Sequence, residues 1–193
     1  MKIKNILAVS ALVGLGVSAQ ATTITFLENG ANVNLGSSST FTEGSASLTA
    51  YASPGQSLYA KNTGGDEVGL GINSDPTGDH EIWGSTYIQL LTSTSGGFDL
   101  TGVSFGSVTG NDVAEVYFST ALGTLGTLIG TYTTDTTFSV ASADQNGYIN
   151  IAVGGGNILL GAVTGTVPDG GSTVALLGLG LTAVGLLRRK LAA

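Results

Sequence analysis

Gly147-Tyr148-Ile149-Asn150-Ile151-Ala152-Val153 sets Ile149, Ile151 and Val153 against Tyr148, Asn150 and Ala152. Side chains of a strand point alternately to its two faces, so this period of two describes a strand with one buried face. The rhythm recurs along the chain. Ile24 and Phe26 alternate with Thr23, Thr25 and Leu27, and Ala46, Leu48 and Ala50 alternate with Ser45, Ser47, Thr49 and Tyr51. Within 113–120, Val116 and Phe118 share a face opposite Glu115 and Tyr117, and Phe138 and Val140 fall together within 136–141. Turn-forming residues separate these stretches: Asn29-Gly30, Ser53-Pro54-Gly55, Gly64-Gly65, Gly96-Gly97, Gly110-Asn111-Asp112, Asn146-Gly147 and Gly154-Gly155-Gly156. No stretch between the two ends has the period and caps of an amphipathic helix. The pattern predicts an all-β fold, an antiparallel β-sandwich of jelly-roll-like kind.

Outside that body, both ends are apolar and basic. Lys2 and Lys4 precede an apolar run from Ile6 to Val17, and Ala19-Gln20-Ala21 is a small-x-small cleavage site that places the mature start at Thr22. At the other end, Val167-Pro168-Asp169-Gly170-Gly171 precedes an apolar segment reaching Leu187, and Arg188-Arg189-Lys190 closes it. Cations resist crossing a bilayer, so they hold that end on the cytoplasmic side. The stretch from Ser172 to Leu187 is short for a spanning helix, which usually needs about 20 apolar residues; a transient anchor tolerates this. The expected organisation is a signal helix over 1–21, a sandwich ectodomain over 22–166 and a C-terminal signal with a hydrophobic helix over 167–193. Thr164-Gly165-Thr166 reads as a small-residue linker between the last two.

The 145 residues from 22 to 166 make one domain's worth of chain, long enough to bury roughly two thirds of the unfolded surface. Lys61 is the sole cation there against twelve carboxylates, a net charge of −11. Binding phosphate needs clustered Lys and Arg, so nucleic acid is excluded as a partner. The chain has no cysteine, which closes the lipoprotein route and leaves burial and strand pairing to hold the exported domain together.

The tail, a short Pro-containing motif followed by an apolar segment and a basic cluster, resembles the PEP-CTERM sorting signals of Gram-negative bacteria. It is most similar to the VPDSG-CTERM variant: Val167, Pro168, Asp169 and Gly171 match, and Gly170 stands where the variant's name has Ser. The resemblance implies recognition by an exosortase, a membrane-embedded, cysteine transpeptidase-like enzyme, with delivery to the surface of bacteria that make exopolysaccharide and biofilm. It implies signal peptidase and exosortase as processing partners, the inner membrane as a transient station, and extracellular polysaccharide as a neighbour. A Gram-positive sortase would need a Leu-Pro-x-Thr-Gly box, which is missing. The body resembles, less specifically, the β-sandwich ectodomains found upstream of such tails, on Val68-Gly69-Leu70-Gly71-Ile72, Asp79-His80-Glu81-Ile82 and Tyr87-Ile88-Gln89-Leu90.

Chemistry-bearing residues concentrate between Asp66 and Glu81. Asp75, Asp79 and Glu81 offer hard oxygen ligands suited to Ca²⁺ around the Pro76-Thr77-Gly78 turn; the competing reading is a solvated acidic turn. His80 is the only histidine, and a hydrolytic Ser-His-Asp triad would have to use it; the expected reading is a plain turn or surface residue. Glu67, Glu81 and Glu115 are candidates for a glycosidase carboxylate pair, yet Trp83 is the only Trp available to a sugar cleft. The expected role is therefore structural or adhesive and not enzymatic. A carbohydrate-binding module is one rival and a membrane-tethered scaffold the other. Tyr51, Tyr59, Trp83 and Tyr87 discriminate: on one exposed face they favour glycan binding, between sheets a structural role.

Overall fold

The computed structural model describes residues 19–27, 30–93 and 97–168, with Gly178, Gly180 and Thr182 in the tail. Contacts divide the chain into one compact unit, Gln20–Val167, and a second formed by Met1–Ala19 and Pro168–Ala193. In the second unit Gly178, Gly180 and Thr182 are helical, and Thr182 Oγ1 donates to Gly178 O at 2.7 Å. Of the expected terminal segments, residues 19–21 open the first strand, and Val167 and Pro168 close the last one; apart from these and the three helical residues, both segments lie outside the described residues. Among the described residues no helix is long and apolar enough to cross a membrane.

In chain order the strands are β1 (Ala19–Thr25), β2 (Val33–Gly36), β3 (Ser38–Glu43), β4 (Ala46–Ala52), β5 (Leu58–Gly64), β6 (Glu67–Ile72) and β7 (Ile82–Trp83). They continue as β8 (Tyr87–Leu91), β9 (Asp99–Gly106), β10 (Val113–Ser119), β11 (Thr127–Tyr132), β12 (Thr137–Ser139), β13 (Tyr148–Gly155) and β14 (Asn157–Pro168). Two sheets result. The first runs β12-β9-β14-β6-β5-β2, with β1 and β7 also pairing β14; the second runs β11-β10-β13-β8-β4-β3. Pairing is antiparallel, as in Tyr148↔Leu91 through Ala152↔Tyr87 between β13 and β8. The antiparallel sandwich expected from the alternation is the fold the chain adopts.

The alternation works as read. Ile149, Ile151 and Val153 turn inward with Phe41, Leu48, Ala50, Ile88, Leu90 and Val116 of the second sheet. They meet Ile24, Leu58, Leu70, Ile72, Val103, Leu160 and Val163 of the first in one continuous core. Phe26 and Phe41 bridge the sheets edge to face with ring centroids 5.0 Å apart, a favoured aromatic geometry.

Two expectations need correction. Gly154 and Gly155 continue β13, and the turn falls at Gly156 alone, where φ is +70°. Thr164-Gly165-Thr166 is no linker: it lies inside β14, paired Thr164↔Gly102, Gly165↔Leu100 and Thr166↔Asp99 with β9. Small residues sit there for packing, because a Cβ on Gly165 would collide with the Phe98 ring, whose side chain is fully buried.

Candidate functional site

Along β5, Leu58 and Ala60 face the core, which turns Tyr59 and Lys61 to the outer face of the first sheet. Loop 73–81 folds back over that face. It approaches closely enough at Gly71 that a Cβ there would strike the His80 carbonyl. His80 takes φ of +61° and stacks on Tyr59 with centroids 3.8 Å apart, while its Nδ1 lies 3.2 Å from Asn73 O.

Under this loop Lys61 is buried, with its side chain 5% exposed. Its ammonium donates to Glu81 Oε1 at 2.9 Å and Asp79 Oδ1 at 3.3 Å, and also pairs with Glu67. Ser107, at φ of +59°, sets its Oγ 2.8 Å from Glu67 Oε1 and 3.1 Å from Glu81 Oε1. Burial alone would pull the Lys61 pKa down, but the hydrogen bonds and charges of Glu67 and Glu81 hold it above the usual lysine value. The Lys61 hydrogen bond holds the Glu67 carboxyl below its usual range, whereas burial pushes Glu81 up against the pull of Lys61.

The structure gives each of the three carboxylates read from the sequence as Ca²⁺ ligands a partner within the protein. Asp75, Asp79 and Glu81 do not converge on an empty point: Lys61 holds the place between Asp79 and Glu81. Asp75 turns to its own loop, accepting from Thr77 N at 3.0 Å and Thr77 Oγ1 at 2.7 Å. Burial would raise its pKa, and these donors outweigh it and leave it lowered. Among the described residues no group of three or more His, Asp or Glu side chains is placed to hold a metal ion.

Of the three glutamates weighed for sugar cleavage, the structure joins Glu67 and Glu81 and separates Glu115, which lies in the second sheet and accepts from Tyr117 Oη at 2.6 Å. The joined pair has split acidities, as an acid and a base require. However, the acid of the two is the sealed one, 6% exposed and bonded to Lys61. Sequence reading noted Lys61 as the body's lone cation without assigning it partners; a single positive charge among twelve carboxylates was the available signal.

The four discriminating aromatics separate. Tyr51 and Tyr87 face outward on the second sheet, Tyr59 outward on the first, and Trp83 packs against the core.

The C-terminal end of β14 carries the remaining feature. Val167 is buried in the core at 8% exposure, and Pro168 is the last residue of the strand. Its neighbour in the first sheet, β1, holds the expected signal-cleavage residues Ala19 and Ala21, both exposed. A cut after Ala21 leaves Thr22–Thr25 in the strand, with Ile24 fully buried.

Residues 166–191 match the VPDSG-CTERM motif. The tail is thus a PEP-CTERM-type exosortase sorting signal, and the match holds with Gly170 in the place of the motif's Ser. Such a signal implies processing by an exosortase-type enzyme and export to the cell envelope or surface. No curated protein and no solved structure matches the chain. The VPDSG-CTERM signal begins inside the last strand: its first three matched residues, Thr166, Val167 and Pro168, belong to β14. Asp169, Gly170, Gly171 and the basic stop Arg188, Arg189 and Lys190 lie outside the described residues.

Proposed function

We propose that this chain is an exported β-sandwich that an exosortase-type enzyme releases from its membrane-bound tail to the cell surface or extracellular matrix, where it acts structurally or adhesively and not as an enzyme. The observation that carries the reading is the sorting motif at 166–191 rooted in the end of β14. Pro168 favours extended backbone in the residue before it, which suits the end of a strand. Asp169-Gly170-Gly171 then continues with little side-chain bulk, a backbone suited to a protease cleft. An apolar segment and Arg188-Arg189-Lys190 would hold the precursor in the inner membrane until the cut. The N-terminal signal, cleaved after Ala21, would supply the export step.

Intact-mass measurement of protein recovered from native cells tests both processing events together. The expected species starts at Thr22 and lacks residues 172–193. Replacing Pro168 and Asp169 together with Ala should leave uncleaved precursor in the inner membrane; normal release of that double variant would refute exosortase handling.

A further inference from the structure

The outer face of the second sheet carries four of the chain's six tyrosines. Cross-strand partners share a face, and the register joins Ser38, Tyr51, Gln89, Asn150, Tyr117 and Leu128 in one row across six strands. Tyr87 and Tyr148 stand two residues from Gln89 and Asn150, so they point to the same side. Tyr51 and Tyr148 meet edge to face with centroids 6.4 Å apart.

Loop 120–126 crosses this face and is fastened to it by side chains. Tyr87 Oη donates to Gly123 O at 2.8 Å, Gln89 Nε2 to Thr124 O at 3.1 Å and Asn150 Nδ2 to Leu125 O at 2.8 Å, while Gly123 N donates to Gln89 Oε1 at 2.6 Å. Gln89 and Asn150 are fully buried by this, so the loop is a fixed wall. Beside it runs a groove of about 490 Å³, within the ~300–1,000 Å³ of small-ligand sites. Tyr51, Ala52, Gln89, Leu122 and Gly123 line it with Ser37, Ser38 and Pro54. Leu122 is an apolar side chain left 51% exposed at the rim.

We infer that this groove binds a neutral sugar unit of a polysaccharide, stacked on Tyr51. Chemistry selects the occupant. A body of net charge −11 repels anionic chains, and no charged side chain lines the groove, so neither an acidic nor a basic ligand finds a counter-charge. What does line it is an amphipathic ring, an exposed leucine and the hydroxyls of Ser37, Ser38 and Tyr51. Hydroxyls both donate and accept, which matches the hydroxyls of a sugar, and the ring face and leucine match its C–H surfaces. The inference goes beyond the delivery reading and stands without it, since the groove lies wholly within Gln20–Val167.

The test uses the full chain, solubilised in a detergent without sugar headgroups, on an array of neutral gluco-, galacto- and manno-oligosaccharides beside uronic-acid oligosaccharides. Binding to at least one neutral series is expected. Tyr51→Ala should weaken it at least tenfold, Tyr51→Phe should retain most of it, and Leu122→Arg, on an exposed loop position, should block the groove with the melting temperature unchanged. Failure to bind any neutral series, preference for the uronic acids, or undiminished binding by Leu122→Arg would overturn the inference. None of these outcomes depends on tail processing, which is read separately from intact mass.

Discussion

Replacing Lys61 with Met removes the only positive charge from a buried cluster and leaves Glu81 to ionise alone. Lys61 and Glu81 side chains are 5% and 6% exposed and 2.9 Å apart, so neither is solvated without the other. Breaking one member of such a pair costs about 3–5 kcal/mol. Glu67 and Asp79, at 42% and 64% exposure, are screened by water and add little. For a domain of this size about 2–4 °C of melting temperature accompanies each kcal/mol, so a fall on the order of 10 °C is expected at pH 7.

The pH dependence follows from the signs. Without Lys61 the folded-state pKa of Glu81, already raised by burial, rises further above its unfolded value. Its contribution is then fully favourable below the unfolded carboxylate range and is lost as pH climbs through the folded value. The deficit of the variant should shrink markedly between pH 7 and pH 4. In the parent chain Glu67, with its lowered pKa, works the opposite way: it stabilises above the unfolded value and loses that effect as pH falls through the folded one. Urea unfolding followed by Trp83 fluorescence at both pH values provides the measurement. Pairing Lys61→Met with Glu81→Leu should recover most of the loss. A pH-independent deficit below about 1 kcal/mol would refute the electrostatic account.

Chains ending at Thr166 and at Pro168 should differ, because the shorter one loses the buried Val167; about 1.5–3 kcal/mol is expected, read as a drop in melting temperature. Gly71→Ala forces a Cβ into the His80 carbonyl and should cost about 1–3 kcal/mol by overpacking, with faster proteolysis in loop 73–81. Gly165→Ala drives a methyl at the Phe98 ring and should destabilise by a similar amount in the same thermal melt.

The legible strands were those whose two faces differ in side-chain chemistry. β4, β10 and β13 each put polar or aromatic side chains outward, and their alternation is plain in the sequence. β14 escaped because it is flanked by strands on both sides and covered along much of its length. Its Ile158-Leu159-Leu160-Gly161-Ala162-Val163 run is continuously apolar where alternation was sought, and its later Gly and Thr residues imitate a linker. β5 was hidden by Lys61, whose charge suggests exposure until the loop that buries it is seen. The acidic loop itself was located correctly by composition. Its pairing with Lys61 was not legible, because a Lys eighteen residues from Asp79 and twenty from Glu81 in sequence leaves no local trace. The sorting tail needed no fold to be recognised, since its three parts are ordered along the chain.

One consequence follows from the place of β14. It comes after every other strand in chain order, yet it lies between β9 and β6 in the first sheet. A polypeptide made N-terminus first therefore presents this sheet as two halves with a vacant slot, each half showing an unpaired edge open to mispairing. Closure comes late, and it arrives with the very residues that open the sorting motif. The strand that completes the first sheet thus runs directly into the sorting motif.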